Sequence, residues 1–202
     1  MHCIIISHES PFAREADIIN SLFQAGMKNF HLRKPACTQE ILQNILRDIE
    51  PAYHSHIVLH DHFELAKQFL LAGIHLNSRN PVCPSGAVAV SCGCHSLACL
   101  NTLLSTFNGL VFLSPVFDSI SKQGYKKAFT DEELSAASKN KSINHRVIAL
   151  GGMSAETIPL AASYGFGGVA VLGALWGNMP VAKDKNRILD HFLQLEALTN
   201  QQ

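Results

Sequence analysis

The 202-residue chain has no excess of charge: sixteen Lys and Arg balance sixteen Asp and Glu, and the isoelectric point is near 7.2. A neutral chain carries no electrostatic footprint for nucleic acid or an anionic membrane. No apolar run approaches the roughly 18 residues of a membrane span. The early run Cys3–Ile6 is too short for the apolar core of a secretory leader. A cytoplasmic protein with no nucleic-acid or membrane partner is therefore expected. The six cysteines (Cys3, Cys37, Cys83, Cys92, Cys94, Cys99) form no paired CxxC, only a CxC at Cys92–Cys94. That excludes a zinc-ribbon framework and predicts reduced, mostly buried thiols. Eleven histidines include no HExxH. No linker, low-complexity tract or composition break divides the chain, so a single domain over 1–202 is expected.

What is present is alternation. At 47% hydrophobic residues the chain can fill a full core. Short β-branched runs alternate with stretches of helical periodicity. Strands are expected at Met1–Ser7, Asn29–Leu32, His56–Leu59, Ile74–Leu76, Ala87–Ser91, Leu110–Leu113, Arg146–Leu150 and Gly167–Leu172. Helices are expected at Ala13–Gln24, after a Thr38 cap, and at Phe63–Leu71, Leu97–Thr106, Asp131–Lys139, behind a Ser154 cap, and at Lys185–Leu198. Val82–Gly86 is too short to hold a full helix. Eight strands alternating with helices predict a (β/α)8 TIM barrel. The runner-up, an open doubly wound sheet, is disfavoured because no glycine fingerprint follows the first strand.

In such a barrel the chemistry lies where strands end. Those ends carry Arg33 and Lys34, His60 and Asp61, His75, Arg79 and Asn80, Ser91 and His95, then Ser119, Ser121 and Lys122. The last two strands end at Gly151-Gly152 and at Gly173, where helices should begin. Glycine lets backbone approach a ligand, and a helix start offers free N–H groups to phosphate. Cations and anion-receptive turns on one rim suit a phosphorylated or pyrophosphorylated ligand. Asp61 can hold magnesium. Each residue also has a plainer reading: Asp61 as a helix cap, His60 and His75 as satisfied structural histidines, Lys122 as a solvated loop lysine.

These segments resemble the thiamine phosphate synthase/TenI family along most of the chain. The matching stretches, in family order, are FHLRK at Phe30–Lys34, LHDHFELA at Leu59–Ala66, GIHL at Gly73–Leu76, CHS at Cys94–Ser96, LSPVFDSISK at Leu113–Lys122, ALGGM at Ala149–Met153 and GVAVLGAL at Gly168–Leu175. The resemblance implies an enzyme of thiamine biosynthesis. It would join hydroxymethylpyrimidine pyrophosphate to a thiazole phosphate and release pyrophosphate, through a pyrimidine cation that the thiazole nitrogen captures. It also implies roles. Arg33, with His31 and Lys34 in the strand-two motif, would bind pyrophosphate. Asp61 would hold Mg²⁺, with Asn80 at the second metal position. His60, Ser91 and His95 would line the site. Ser119, Ser121 and Lys122 would hold both phosphates, and Gly151, Gly152, Leu172 and Gly173 would cradle the thiazole phosphate. Lys122, Arg33 and His95 are the expected catalytic set, and a homodimer is the expected assembly.

The chain departs from the synthase pattern on one half of the site. Gln-x-Arg-x-Lys has become His31-Leu32-Arg33-Lys34-Pro35, Asn-Asp has become His60-Asp61, and the second metal acid has become Asn80. Loss of that acid predicts weak Mg²⁺ binding. Two alternatives follow from the resemblance: a TenI-type thiazole tautomerase, whose sixth-strand histidine is here Ser114, and a non-catalytic thiamine-phosphate-binding regulator.

Overall fold

Alternate residues of eight short segments face opposite ways, and the segments pair in parallel until the sheet closes on itself. The structure is a computed structural model and describes residues 1–118 and 126–201. The strands are β1 (His2–Ile6), β2 (Phe30–Leu32), β3 (Ile57–Leu59), β4 (Gly73–Leu76), β5 (Ala89–Cys94), β6 (Leu110–Leu113), β7 (Val147–Leu150) and β8 (Gly168–Val171). Each pairs with the next in sequence. Closure comes from β1 lying beside β8, with His2 opposite Gly168 and Ile5 opposite Val171. The outer ring holds α1 (Glu15–Gln24), α2 (Gln39–Asp48), α3 (Glu64–Gln68), α4 (Leu97–Thr106), α5 (Asp131–Lys139), α6 (Ile158–Ser163), α7 (Gly173–Trp176) and α8 (Lys185–Asn200). This is the expected (β/α)8 barrel. Among the described residues no helix follows β4, in keeping with the short connection there.

Local chemistry sets most boundaries. The Thr38 hydroxyl accepts the Ile41 N–H and starts α2, and Ser96 does the same for α4 through Cys99. Thr130 and Glu133 form a reciprocal capping box on α5. Two expectations need correction. The fifth strand runs on to Cys94, because Cys92 and Cys94 bury against the helices and Gly93 pairs with Phe112. Ser154 does not cap α6 with its side chain. Its hydroxyl turns to Glu156, while Thr157 Oγ1 accepts the Ser154 N–H and donates to the Gly152 carbonyl. At the opposite end of the barrel Arg146 donates to the carbonyls of Leu104, Phe107 and Gly109, tying down the turn between α4 and β6.

The strand period divides the core in two. Outward positions such as Cys3, Ile5, Phe30, Leu32, Val111, Leu113, Val169 and Val171 join the helices in one large apolar layer. Inward positions fill the barrel itself. Ile4, Ile6, Phe112, Ile148 and Ala170 make an apolar cluster, flanked by Leu110, Leu150 and Leu172. These come from β1 and β6–β8. The inward positions of β2–β5 are more polar: beside Val58 they include His31, His75 and Ser91, with His60 just past β3, all buried.

Lys34 shows how firmly the first unit is tied. Its ammonium, wholly buried, contacts Glu15 Oε1 at 2.5 Å and donates to the carbonyls of His8 (2.7 Å) and Ser10 (3.3 Å). Burial pushes the Glu15 carboxyl up and the Lys34 ammonium down, and each partner opposes the other's shift. Removing one member leaves the other as an uncompensated buried charge. Lys34→Met is expected to lower stability by about 3–5 kcal/mol. Urea unfolding measures this, and a loss below about 1 kcal/mol would contradict the pairing.

Candidate active site

The C-terminal ends of the strands open into a cavity of about 410 Å³. Its apolar side is Ile6, Phe112, Leu150, Ala170 and Leu172, the top of the inner cluster, together with Met153 and Pro115. Arg33 and Arg79 stand on one side of the mouth, with Asn77 and Ser78. Gly151, Gly152 and Gly173 stand on the other, and His60, His75, Gly93 and His95 complete the wall. Of the expected site residues, Arg33, His60, His95, Gly151, Gly152, Leu172 and Gly173 therefore meet at one cavity.

The polar half of the barrel interior forms the cavity floor. His31 Nδ1 and His60 Nε2 share a 2.9 Å hydrogen bond, and His75 Nδ1 shares one of 2.9 Å with Ser91 Oγ. The His60 and His75 rings stack with centroids 4.1 Å apart. Phe112 lies 5.0 Å from the His31 ring and 4.8 Å from that of His75. Burial is the main force holding all three imidazoles below the ordinary histidine range, with His75 pressed down to about 3. The Arg33 and Arg79 charges push His60 and His75 the same way. The floor is therefore polar yet uncharged.

The two guanidiniums are each answered by an acid. Arg33 meets Glu9 at 2.5 Å. Arg79 meets Asp61 Oδ1 at 2.9 Å, and this pairing places a fixed cation where sequence reasoning put a metal. Asp61 itself faces an adjoining groove, with Asn80, on the far side of Arg79. The Asn80 side-chain amide donates to the His60 carbonyl (3.1 Å) and to Asp61 Oδ1 (3.3 Å). Two acceptors there require its NH₂ group, so its oxygen points elsewhere. Asp61 Oδ2 is buried without a hydrogen-bond partner among the described residues. One orphaned carboxylate oxygen fits a single protein ligand for Mg²⁺, the remaining positions falling to substrate oxygens and water.

Gly151 and Gly152 adopt φ of +98° and +65°, a region L-residues rarely enter. They also lie against the segment that follows β6. A Cβ at Gly151 would come within 2.9 Å of Pro115, and one at Gly152 would overlap the Asp118 carbonyl and Phe117. Beside them α7 begins at Gly173, and its Trp176 anchors to β1 by a 2.7 Å hydrogen bond from Nε1 to the Ile6 carbonyl. The first N–H groups of α7 have no partner within the helix.

Three expectations fare differently. Lys34 is not at the cavity; the Glu15 pairing draws it inward beneath α1. Ser91 touches the site only through His75. Ser119, Ser121 and Lys122 lie outside the described residues. His95 sits at the wall, its Nδ1 3.0 Å from the Ser114 carbonyl. Sequence reasoning passed over Glu9 and Phe112. Glu9 lies in the segment between β1 and α1, and an acid after the first strand was the available signal. Phe112 needed only the period of two applied to β6.

The comparisons with known proteins follow this geometry. The family model for thiamine monophosphate synthase matches residues 2–175. The solved thiamine phosphate pyrophosphorylase from Bacteroides thetaiotaomicron is 35% identical, with a TM-score of 0.89 over 99% of this chain and 98% of that one. A thiamine-phosphate synthase of Yersinia pestis (strain Pestoides F) is 27% identical over 189 residues, 88% of this chain and 84% of the relative. The thiamine phosphate pyrophosphorylase of Pyrococcus furiosus, 14% identical with a TM-score of 0.76, covering 98% of this chain and 95% of its own, shares the fold.

The close approach at Gly152 has a measurable cost. Gly152→Ala is expected to lower stability by about 1–3 kcal/mol, the scale of a strained backbone position. An unchanged denaturation midpoint would mean that the turn and the segment after β6 do not press together.

Proposed function

This chain belongs to the thiamine monophosphate synthase family, and from that we propose that it is a transferase joining hydroxymethylpyrimidine pyrophosphate to a thiazole phosphate. The observation that carries the reading is the layout of one cavity. Two guanidiniums stand at one side, glycine backbone and a helix start at the other, and an uncharged floor lies between. A pyrophosphate suits the first side and a phosphate monoester the second.

In this reading the carbon–oxygen bond to pyrophosphate breaks first, and its electron pair leaves with the pyrophosphate. Arg33 and Arg79 stabilise the charge that gathers there. The pyrimidine methylene cation then rests against the neutral floor. A protonated imidazole would repel it; His60 and His75, kept neutral by burial, do not. The apolar wall of Ile6, Phe112, Leu150 and Leu172 keeps water from the cation. The thiazole nitrogen, held by its phosphate on the N–H groups near Gly152 and Gly173, donates its lone pair and closes the new carbon–nitrogen bond. His95, on the wall between, orients the substrates. Ser119, Ser121 and Lys122 complete the phosphate contacts. Mg²⁺, when bound through Asp61 Oδ2 with Asn80 nearby, would neutralise part of the pyrophosphate charge. A soluble, cytoplasmic homodimer is part of the same proposal; no described helix is long and apolar enough to cross a membrane.

Purified protein mixed with both substrates and Mg²⁺ is expected to form thiamine phosphate; no product would overturn the reading. Lys122→Ala is expected to lower kcat by the equivalent of roughly 2–4 kcal/mol, because leaving-group charge grows in the transition state. An unchanged kcat removes Lys122 from the reaction.

Restoring a second acid tests the metal assignment. Asn80→Asp is expected to lower the Mg²⁺ concentration needed for half-maximal turnover, since a full charge joins Asp61. The same Mg²⁺ dependence in both proteins would show that this loop does not reach the ion.

A further inference from the structure

The cavity floor holds more nitrogen donors than a neutral surface needs. One ring nitrogen each from His31, His60 and His75 lies within 4.8 Å of the other two. We propose that these three imidazoles form a site for a borderline-soft divalent transition cation of the Zn²⁺ or Co²⁺ class, with a fourth position open to the cavity; a dication there would repel the pyrimidine cation of the proposed transfer, so an occupied site would be an inhibited one.

Donor chemistry sets the class. Neutral imidazole suits zinc and cobalt, whereas Mg²⁺ prefers the oxygen donors at Asp61. Three protein nitrogens with one open position is the donor count of an accessible zinc site. The ligands are also placed in advance. His31 lies within β2, His75 within β4, and His60 directly follows β3, so neighbouring strands fix all three backbones. Ser91 engages His75 Nδ1 and leaves Nε2 for a ligand, which is how metal-bound histidines are usually oriented. Gly93 keeps space there: a Cβ at that position would sit 3.6 Å from His75 Nε2. His60 and His75 line the cavity, giving an ion a way in.

Several features oppose binding. The 2.9 Å hydrogen bond between His31 and His60 must open. Nitrogens on one tetrahedral zinc lie about 3.3 Å apart, so nitrogens up to 4.8 Å apart must draw together, and the stacked His60 and His75 rings must turn until both lone pairs converge. The cations Arg33 and Arg79 stand nearby, but Glu9 and Asp61 each offset one of them.

Co²⁺ titrated into the chelator-treated full-length chain reads the site directly. Equimolar uptake is expected, with the visible ligand-field bands of nitrogen-bound cobalt and no thiolate-to-cobalt charge transfer. Zn²⁺ should displace the colour and excess Mg²⁺ should not. His31→Gln and His60→Asn, with folding checked by circular dichroism, should each abolish the bands. Ser91→Ala, which keeps all three ligands, should weaken binding by roughly 10–100-fold. If a histidine variant fails to fold, Ser91→Ala decides. No uptake, charge-transfer bands marking the cysteines, or affinity unchanged in the variants would overturn the proposal. No readout uses either synthase substrate, so its failure is separate from failure of the synthase reading.

Discussion

Closing eight strands into a barrel creates an interior that water cannot reach and that side chains must fill. Everything distinctive about this chain follows from how it meets that demand. The half of the barrel from β6 through β8, with β1, supplies aliphatic side chains and Phe112, which pack without needing partners. The strands from β2 through β5 supply imidazoles and a hydroxyl, which do need them. They find those partners in one another, His31 with His60 and His75 with Ser91. Charge is the one thing the interior cannot hold without a counterion, and so the rings are neutral. The floor of the cavity is thus set by the packing problem below it.

The mouth obeys a different rule because it is wet. There the charges are kept, and paired across short distances: Arg33 with Glu9, Arg79 with Asp61. A pyrophosphate bound there, as proposed, would compete with carboxylates that already hold the guanidiniums. The glycine side has no side chains to move at all. The asymmetry matches a reaction in which one phosphorylated group leaves and the other only has to stay in place.

Much of this was legible in the sequence, and the misses share a cause. Strand–helix alternation, the ends at Arg33, His60 and His95, and the glycine turns all follow from local pattern. What local pattern cannot supply is a partner nineteen or twenty-four residues away. Lys34 read as a rim cation beside Arg33, yet adjacent strand residues face opposite ways, and Glu15 on α1 claims it. Arg79 read as a rim cation and Asn80 as a second metal position, yet their side chains reach back eighteen and nineteen residues to Asp61. His31, His60 and His75 each have an unremarkable reading alone; only the strand order brings them together. The fifth strand was underestimated because Cys92-Gly93-Cys94 has little β propensity, and the need to complete a closed sheet outweighs it.

Gly151 and Gly152 have a role beyond the cavity they line. Their missing side chains let the backbone of residues 115–118 lie directly on the turn, and Phe117 N–H bonds to the Gly151 carbonyl at 3.1 Å. Two segments from different βα units are thereby meshed like teeth of adjoining gears. Any displacement of the turn would be passed to the chain leading out of β6, with no flexible side chain between them to absorb it.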